Sequence, residues 1–555
     1  MRTVFLIVAL AALLTGLNAL KPLHIDDATF YFNAAHIAAH PLDPYGFVML
    51  RWSDVVPALH ALAPPGLTYW WAGAIRLFGD QPVLWKLWLF PFALLFVASL
   101  AALLRRFAPS VAAPLLVLLV LSPVFLPSLN LMMDIPALAL SLTALAVFLR
   151  ACDRGSVALA VLAGVTAGLA MQTKYTGFLA PAVLLAYALL HRKMRLGLSA
   201  ALTAGLVFAA WETALFFHYG ESHFVYQVFH GENGDQPKST LLGALFPLLG
   251  GTVPTLALLA LTVLRSPRWL LCSAALFVFL SYLLLWPDGF GLAWSTEDLS
   301  LALFACTGGG VLLSTAAAAW RLGRQASRGE GKEQTMLPAR ASWFLILWLA
   351  LEIAGYVAIS PFPAVRRIMG VAVAATLLVG RLADRTALEP RREKLIRGLA
   401  AVTAGLGIGF FAVDYLEARA EQQAAYAAAD QIRQEHPHVD IWYAGYWGFQ
   451  YYAEKCGMKQ IIPLQNTDGE SPTLRRPSQF HEGDWLVIPD ENIPQQEVRL
   501  DEGTLETKGQ LAIGEDGIPV STVIDYYAGS APLRHHSGPR IVLRLFRVAD
   551  DRTAP

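Results

Sequence analysis

Between residues 3 and 413 the chain returns repeatedly to apolar runs long enough to cross a bilayer as helix, which takes about 20 residues. With 55% apolar and 15% charged residues over a length of 555, this recurrence excludes a soluble globular protein, in which about 25% of residues are charged. The same apolar content excludes intrinsic disorder. A balance of 42 basic against 42 acidic residues gives no support to nucleic-acid binding. The cysteines are Cys152, Cys272, Cys306 and Cys456, and their spacing suggests neither a disulfide framework nor a zinc cluster.

The expected fold is therefore a polytopic α-helical membrane protein, with about thirteen spans. They fall near 3–20, 82–104, 111–129, 135–150, 156–171, 178–190, 196–217, 241–264, 269–287, 299–320, 341–359, 368–380 and 396–413. The first reads as a retained span rather than a cleaved signal. With a cytoplasmic N-terminus, alternate loops hold roughly 21 basic residues on one side against about 7 on the other, the asymmetry of the positive-inside rule. An odd number of spans then places the loops 21–81 and 218–240 and the tail outside the cytoplasm. Residues 1–413 form the membrane module on this reading, and 414–555 a small extracytoplasmic α/β domain.

In that tail an Ala-rich charged stretch from Tyr415 to His436 reads as helix, stopped by Pro437. VDIWYAG, KQIIPL, DWLVIP and RIVLRLFRV read as strands, with GFQYYAEKCG as a short helix. Seven aromatics crowd residues 442–452; they could stack on sugar rings or fill the core of the domain. The polar loop 321–340 reads as a flexible cytoplasmic connector.

The few charges on the outer face are the candidates for chemistry. Asp26 and Asp27 follow the first span, beside His24, and two adjacent carboxylates at a membrane surface need a cation or strong donors to stay ionised. Capping of the helix that follows is the structural alternative. Asp134 opens the fourth span on the same face, where Pro136 suits a first helical turn and Asp134 a cap. Three acids at one interface suit a hard cation such as magnesium or manganese, with Asp27, Asp134 and His24 as candidate ligands. Lys174 and the pair Arg366-Arg367 lie on the side that should lack basic residues. They suit a phosphate, or else snorkel to lipid headgroups.

Asp26-Asp27-Ala28-Thr29-Phe30-Tyr31 resembles the acidic motif in the first external loop of GT-C glycosyltransferases, specifically the protein O-mannosyltransferase and aminoarabinose transferase group. Ala63-Pro64-Pro65-Gly66-Leu67-Thr68-Tyr69 is similar to that group's double-proline segment, and Asp134-Ile135-Pro136 to its Asp-x-Pro. Gly168 to Gly177, with Thr173-Lys174-Tyr175 at its centre, resembles its Thr-Lys-Tyr turn. The match follows residues 1–380 in order, departing at Ala63, at Gly66 and at Asp27, where many members have glutamate.

The resemblance implies a GT-C fold and a membrane glycosyltransferase that moves a sugar from a polyprenyl-phosphate donor to a hydroxyl on a lipid, glycan or protein. It implies inversion at the sugar, in the inner membrane, with the active site outside the cytoplasm. Asp26 would be the general base, and Asp27 and Asp134 would position the acceptor or bind metal. Lys174 with Arg366 or Arg367 would clamp phosphate, while Tyr31, Pro64, Pro65, Tyr69 and Tyr175 would contact substrate. A transporter or flippase of lipid-linked saccharides is the alternative, hinted at only by Glu212 and Glu352 in or near apolar runs. A non-catalytic assembly or sensor protein is the third reading, favoured if Asp26 and Asp134 lie far apart.

Overall fold

The computed structural model describes residues 2–51, 54–230, 237–264, 275, 296–328, 333–386, 390–462, 480–490, 493–495, 505–515, 517–529, 531–536 and 538–549. Seven helices among them are long and apolar enough to cross a membrane, by length and composition: Arg2–Leu20, Pro82–Phe107, Asp134–Arg154, Met194–Tyr219, Ser300–Ser327, Ala339–Ile359 and Glu393–Glu435. Shorter apolar helices occupy Pro109–Val120, Val157–Thr173 and Tyr175–Leu190. On Met194–Tyr219, Leu202, Leu206 and Phe217 are exposed by 67%, 70% and 82%. Apolar faces of this kind are at home against lipid rather than water.

Local chemistry explains where helices depart from the expected runs. The run 111–129 stops as helix at Val120, ahead of Ser122-Pro123. The run 241–264 divides into Lys238–Thr252 and Leu256–Leu264 at Pro254, which has no amide to donate. The run 368–380 is the helix Met369–Arg385, while the run 269–287 lies outside the described residues. Most of the expected connector 321–340 is helical, in Thr296–Arg328 and Glu333–Ile359. The last span and the tail helix are one element, Pro390–Glu435, of 46 residues.

The tail builds a five-stranded sheet in the spatial order Lys459–Gln460, Ile441–Tyr443, Trp485–Pro489, Ile541–Val548, Leu505–Ile513. The first three strands are parallel, and the last two pair antiparallel. Strand alternation sends Ile441 and Tyr443 into the large core shared with the helices, and Trp442 and Ala444 into a smaller cluster with Ile461, Leu486, Ile488 and Phe546.

Buried charges fasten this sheet region to the loop that follows the helix Arg2–Leu20. Lys21 Nζ meets Asp414 Oδ2 at 2.5 Å and donates to Pro127 O at 2.7 Å. His24 bonds Glu421 Oε1 through Nδ1 at 2.8 Å and Asp414 Oδ1 through Nε2 at 3.2 Å. Arg540 pairs with Glu417 at 3.1 Å, and Tyr526 OH donates to Pro123 O at 2.8 Å. Asp414, Glu417 and Glu421 share a helix face at i, i+3 and i+7, so the long helix presents three acids to the groups that hold the sheet in place.

Candidate active site

A cavity of about 1330 Å³ lies between one end of the helices and the sheet region. Asp26, Pro64, Asp134, Lys174, Tyr175, Arg366 and Arg367 line it, all candidates from the sequence. His24, Asp27, Tyr31, Pro65 and Tyr69 do not.

Asp26 occupies the N-cap position of the helix Asp27–Ala39, yet its carboxylate makes no cap hydrogen bond. It accepts from Arg366 Nη1 at 2.7 Å, across 340 residues of sequence. Asp134 likewise begins its helix without capping it, and its carboxylate pairs with Lys174. Capping is thus not what these two acids do. Lys174 is held in extended conformation between Val157–Thr173 and the short turn Tyr175–Phe178. Gly66 packs so closely on this segment that a Cβ there would sit 2.7 Å from Gln172 O. That contact accounts for glycine after the double proline.

Arg366 and Arg367 sit in the turn Val365–Ile368, which breaks the backbone pattern between two apolar helices and turns both side chains toward the cavity. Arg366 Nε also donates to Tyr527 O at 3.2 Å, and Arg367 lies over the Phe362 ring at 4.8 Å. Arg367 Nε is buried with no hydrogen-bond partner among the described residues. Burial opposes the charge on Arg366, but Asp26 and Asp134 outweigh it and raise its pKa. Burial lowers Arg367 to about 10, with Arg366 adding to the effect. It also lowers Lys174 to about 8 against the pull of Asp134, so all three cations are charged at neutral pH. Two carboxylates against three cations leave this end of the cavity with one surplus positive charge.

Tyr175 OH and His223 Nδ1 lie 2.5 Å apart, and His223 Nε2 donates to Leu62 O at 2.8 Å. Burial lowers His223 to about 4, so the ring is neutral and accepts from the tyrosine. His223 also lines the cavity, and no sequence motif marked it.

The remaining candidates are held elsewhere. Ile25, at φ 52°, turns the chain between His24 and Asp26. Asp27 is fully buried, 3.2 Å from Lys86 Nζ, and accepts from His24 N at 3.1 Å. Despite its burial, His24 is raised to about 10 by Glu421 and Asp414, so it is an imidazolium with both nitrogens donating. Tyr31 stacks on Trp85 at 4.8 Å and meets Tyr451 edge-on. Tyr69 OH donates to Pro41 O at 2.9 Å, and Pro65 O accepts from Thr68 Oγ1 at 2.7 Å. The expected metal set does not assemble: His24 bonds Glu421 and Asp414, Asp27 is held by Lys86, and Asp134 by Lys174. Among the described residues, one group of three does offer ligand atoms within 4.8 Å of one another, Asp440, His481 and Asp484 in the sheet region. There Lys459 already pairs with Asp440 at 2.5 Å, and Trp442 Nε1 donates to Asp484 at 3.0 Å.

The two acids that hinted at transport have local partners. Glu212 accepts from Ser222 Oγ at 2.7 Å and Phe224 N at 3.0 Å, and Glu352 accepts from Trp348 Nε1 at 2.8 Å.

Residues 63–215 match the family described as dolichyl-phosphate-mannose-protein mannosyltransferase. No curated protein sequence matches the chain. Among solved structures, the Archaeoglobus fulgidus oligosaccharyltransferase in its apo form is similar at 14% identity and a TM-score of 0.46, over 82% of this chain and 64% of its own. The chain thus spans less than two thirds of that protein. ArnT from Cupriavidus metallidurans, bound to undecaprenyl phosphate, is similar at 15% identity and a TM-score of 0.40, over 88% of this chain and 94% of its own. The family match contains Pro64-Pro65, Asp134-Ile135-Pro136 and Thr173-Lys174-Tyr175, three of the four motifs first noted, and on that match the chain resembles the GT-C superfamily glycosyltransferases.

Proposed function

We propose that the protein is a membrane glycosyltransferase that takes a sugar from a polyprenyl-phosphate donor and passes it to an acceptor hydroxyl with inversion. The supporting observation is the pairing of Asp26 with Arg366 and of Asp134 with Lys174 in one cavity, with Arg367 in surplus. A phosphodiester between lipid and sugar carries one negative charge, which the surplus cation balances. During displacement the acceptor oxygen bonds to the anomeric carbon as the carbon–phosphate-oxygen bond breaks. Asp26 takes the hydroxyl proton, and the phosphate leaves with a second negative charge. Neutralising Asp26 releases Arg366 from its partner at the moment that charge appears. The site thus stays electrically balanced from donor to product, the kind of preorganisation that lowers a charge-separating barrier in a dry cavity. Asp27, held by Lys86, is a positioning residue for Asp26.

In this reading residues 1–413 form the catalytic module and 414–555 an extracytoplasmic domain, with the cavity on the outer side of the inner membrane. Donor and transporter readings separate in vesicles loaded with polyprenyl phosphate bearing a labelled sugar. Transferase activity cleaves the sugar from the lipid and delivers it to an acceptor; movement of intact lipid-linked sugar across the bilayer without cleavage would instead support a flippase.

No step is assigned to magnesium or manganese, because the expected ligands are committed to other partners. Transfer should keep its full rate in excess chelator. A rate lost to chelator and restored by either ion would return a metal to the reaction.

A further inference from the structure

Part of the cavity lining belongs to the sheet region. Tyr446, Trp447, Gln450, Glu454, Gln460, Ile462 and Pro494 contribute to it. Trp447, Gln450 and Glu454 lie at i, i+3 and i+7 of the helix Trp447–Lys455, so one helical face supplies an indole, an amide and a carboxyl.

Trp447 is held in an expensive conformation. Its φ is 61°, in the left-handed region that a bulky residue rarely enters. Of the three non-glycine residues with positive φ among the described residues, it and Ile25 line this cavity. The surroundings enforce the turn. Tyr446 N donates to Pro494 O at 2.9 Å, and Phe449 N to Glu421 Oε2 at 3.1 Å. A Cβ on Gly448 would lie 2.3 Å from Leu23 O, so the helix start is pressed directly onto the loop that carries Asp26. Strain kept in place by its neighbours at a cavity wall points to use of the strained side chain.

The chemistry of this part of the lining differs from that around Lys174, Arg366 and Arg367. Among its described residues it has no cation, and Glu454 is its one acid; burial raises the pKa of that carboxyl, against hydrogen bonds from Tyr443 and Gln450. Gln460 Nε2 is buried with no partner among the described residues. An apolar aromatic face beside amide and carboxyl groups complements a sugar ring, whose C–H face packs on the indole while its hydroxyls meet both donors and acceptors. A phosphorylated headgroup would find no counter-charge here. The edge strand Lys459–Gln460 beside it is two residues long, too short a template for strand addition by an extended peptide.

We infer that Trp447, Gln450, Glu454 and Gln460 form a subsite for a neutral saccharide, the ring that bears the acceptor hydroxyl. This rests on the transferase reading for its purpose, but saccharide binding is measured without donor. The probes are neutral trisaccharides, maltotriose and N,N′,N″-triacetylchitotriose, followed by saturation-transfer NMR on the full-length protein in lipid nanodiscs. At least one should bind to wild type. Trp447→Ala and Gln450→Ala should each weaken it tenfold or more, while Trp447→Phe stays within threefold and undecaprenyl phosphate affinity is unchanged throughout. The subsite is overturned if neither sugar binds, if binding survives both alanine variants, or if a serine-containing peptide binds in a Trp447-dependent way and the sugars do not. Loss of undecaprenyl phosphate binding in wild type with saccharide binding intact would count against the transferase reading and leave the subsite standing.

Discussion

Asp26→Asn should fold, insert and bind the donor lipid, yet transfer sugar about 10²–10⁴-fold more slowly, the range expected when a general base is removed. The amide keeps the shape of the side chain and can still accept a hydrogen bond from Arg366, but it cannot take the acceptor proton. It also removes one of two negative charges from the cluster of Asp26, Asp134, Lys174, Arg366 and Arg367. Donor phosphate should therefore bind more tightly to the variant than to wild type. Slow transfer with tighter donor binding separates a lost base from a damaged fold. The corresponding change at Asp27 should behave differently, because it strands Lys86, which is 1% exposed and donates to Lys21 O at 2.9 Å and Pro22 O at 3.0 Å. Its cost should appear in stability. Rapid transfer by Asp26→Asn together with slow transfer by a well-folded Asp27→Asn would assign the base to the other acid.

Lys21→Met should lower the stability of the full-length protein by about 3–5 kcal/mol, the range for breaking a buried ion pair by removing one member. Lys21 and Asp414 are both nearly inaccessible, and the ammonium also satisfies Pro127 O. After the substitution Asp414 keeps His24, Tyr527 OH at 3.1 Å and Thr522 Oγ1 at 3.3 Å, but loses its shortest contact. Tyr527 O is also the acceptor for Arg366 Nε, so the disturbance reaches the cavity. Thermal or denaturant unfolding of detergent-solubilised protein reads the loss. Lys21→Met combined with Asp414→Leu should recover part of it, since a buried ion pair replaced as a unit by apolar groups costs little. A single variant as stable as wild type would mean that the pair does not fasten the sheet region to the first loop.

Most of the helical framework was legible because an apolar run of sufficient length has few other fates. The limits were set by groups that are polar yet buried. At Asp414 the composition changes from apolar to charged, which suggests the end of one element, but Asp414, Glu417 and Glu421 face buried cations and the helix continues to Glu435. The strand Leu505–Ile513 was missed for the opposite reason: Glu506, Thr507 and Lys508 are exposed on an edge strand, with no apolar run to mark it.

At the candidate site, the scarcity of charge singles out Asp26, Asp27, Asp134, Lys174, Arg366 and Arg367, and the fold gathers all of these but Asp27 around one cavity. The family resemblance assigns the base to Asp26, but composition and spacing alone do not tell Asp26 from Asp27. Adjacent side chains point apart, and the partners that separate them, Arg366 and Lys86, come from distant segments. The same holds for His24, whose acids lie about 400 residues away, at separations of 390 and 397. In the aromatic stretch, Trp442, Tyr443, Phe449, Tyr451 and Tyr452 went to the core while Tyr446 and Trp447 reached the cavity, a division fixed by the turn at Gly445 and Trp447 rather than by periodicity.

In the proposed function, one surplus cation and two paired acids receive a lipid-linked phosphate. Isothermal titration of the detergent-solubilised full-length protein with undecaprenyl phosphate and with undecaprenol, the same chain without phosphate, tests it most directly. The phosphate should bind at least tenfold more tightly, about 1.4 kcal/mol, and Arg367→Ala should remove most of that difference. Equal affinity for the alcohol and the phosphate, or a preference untouched by Arg367→Ala, would contradict it.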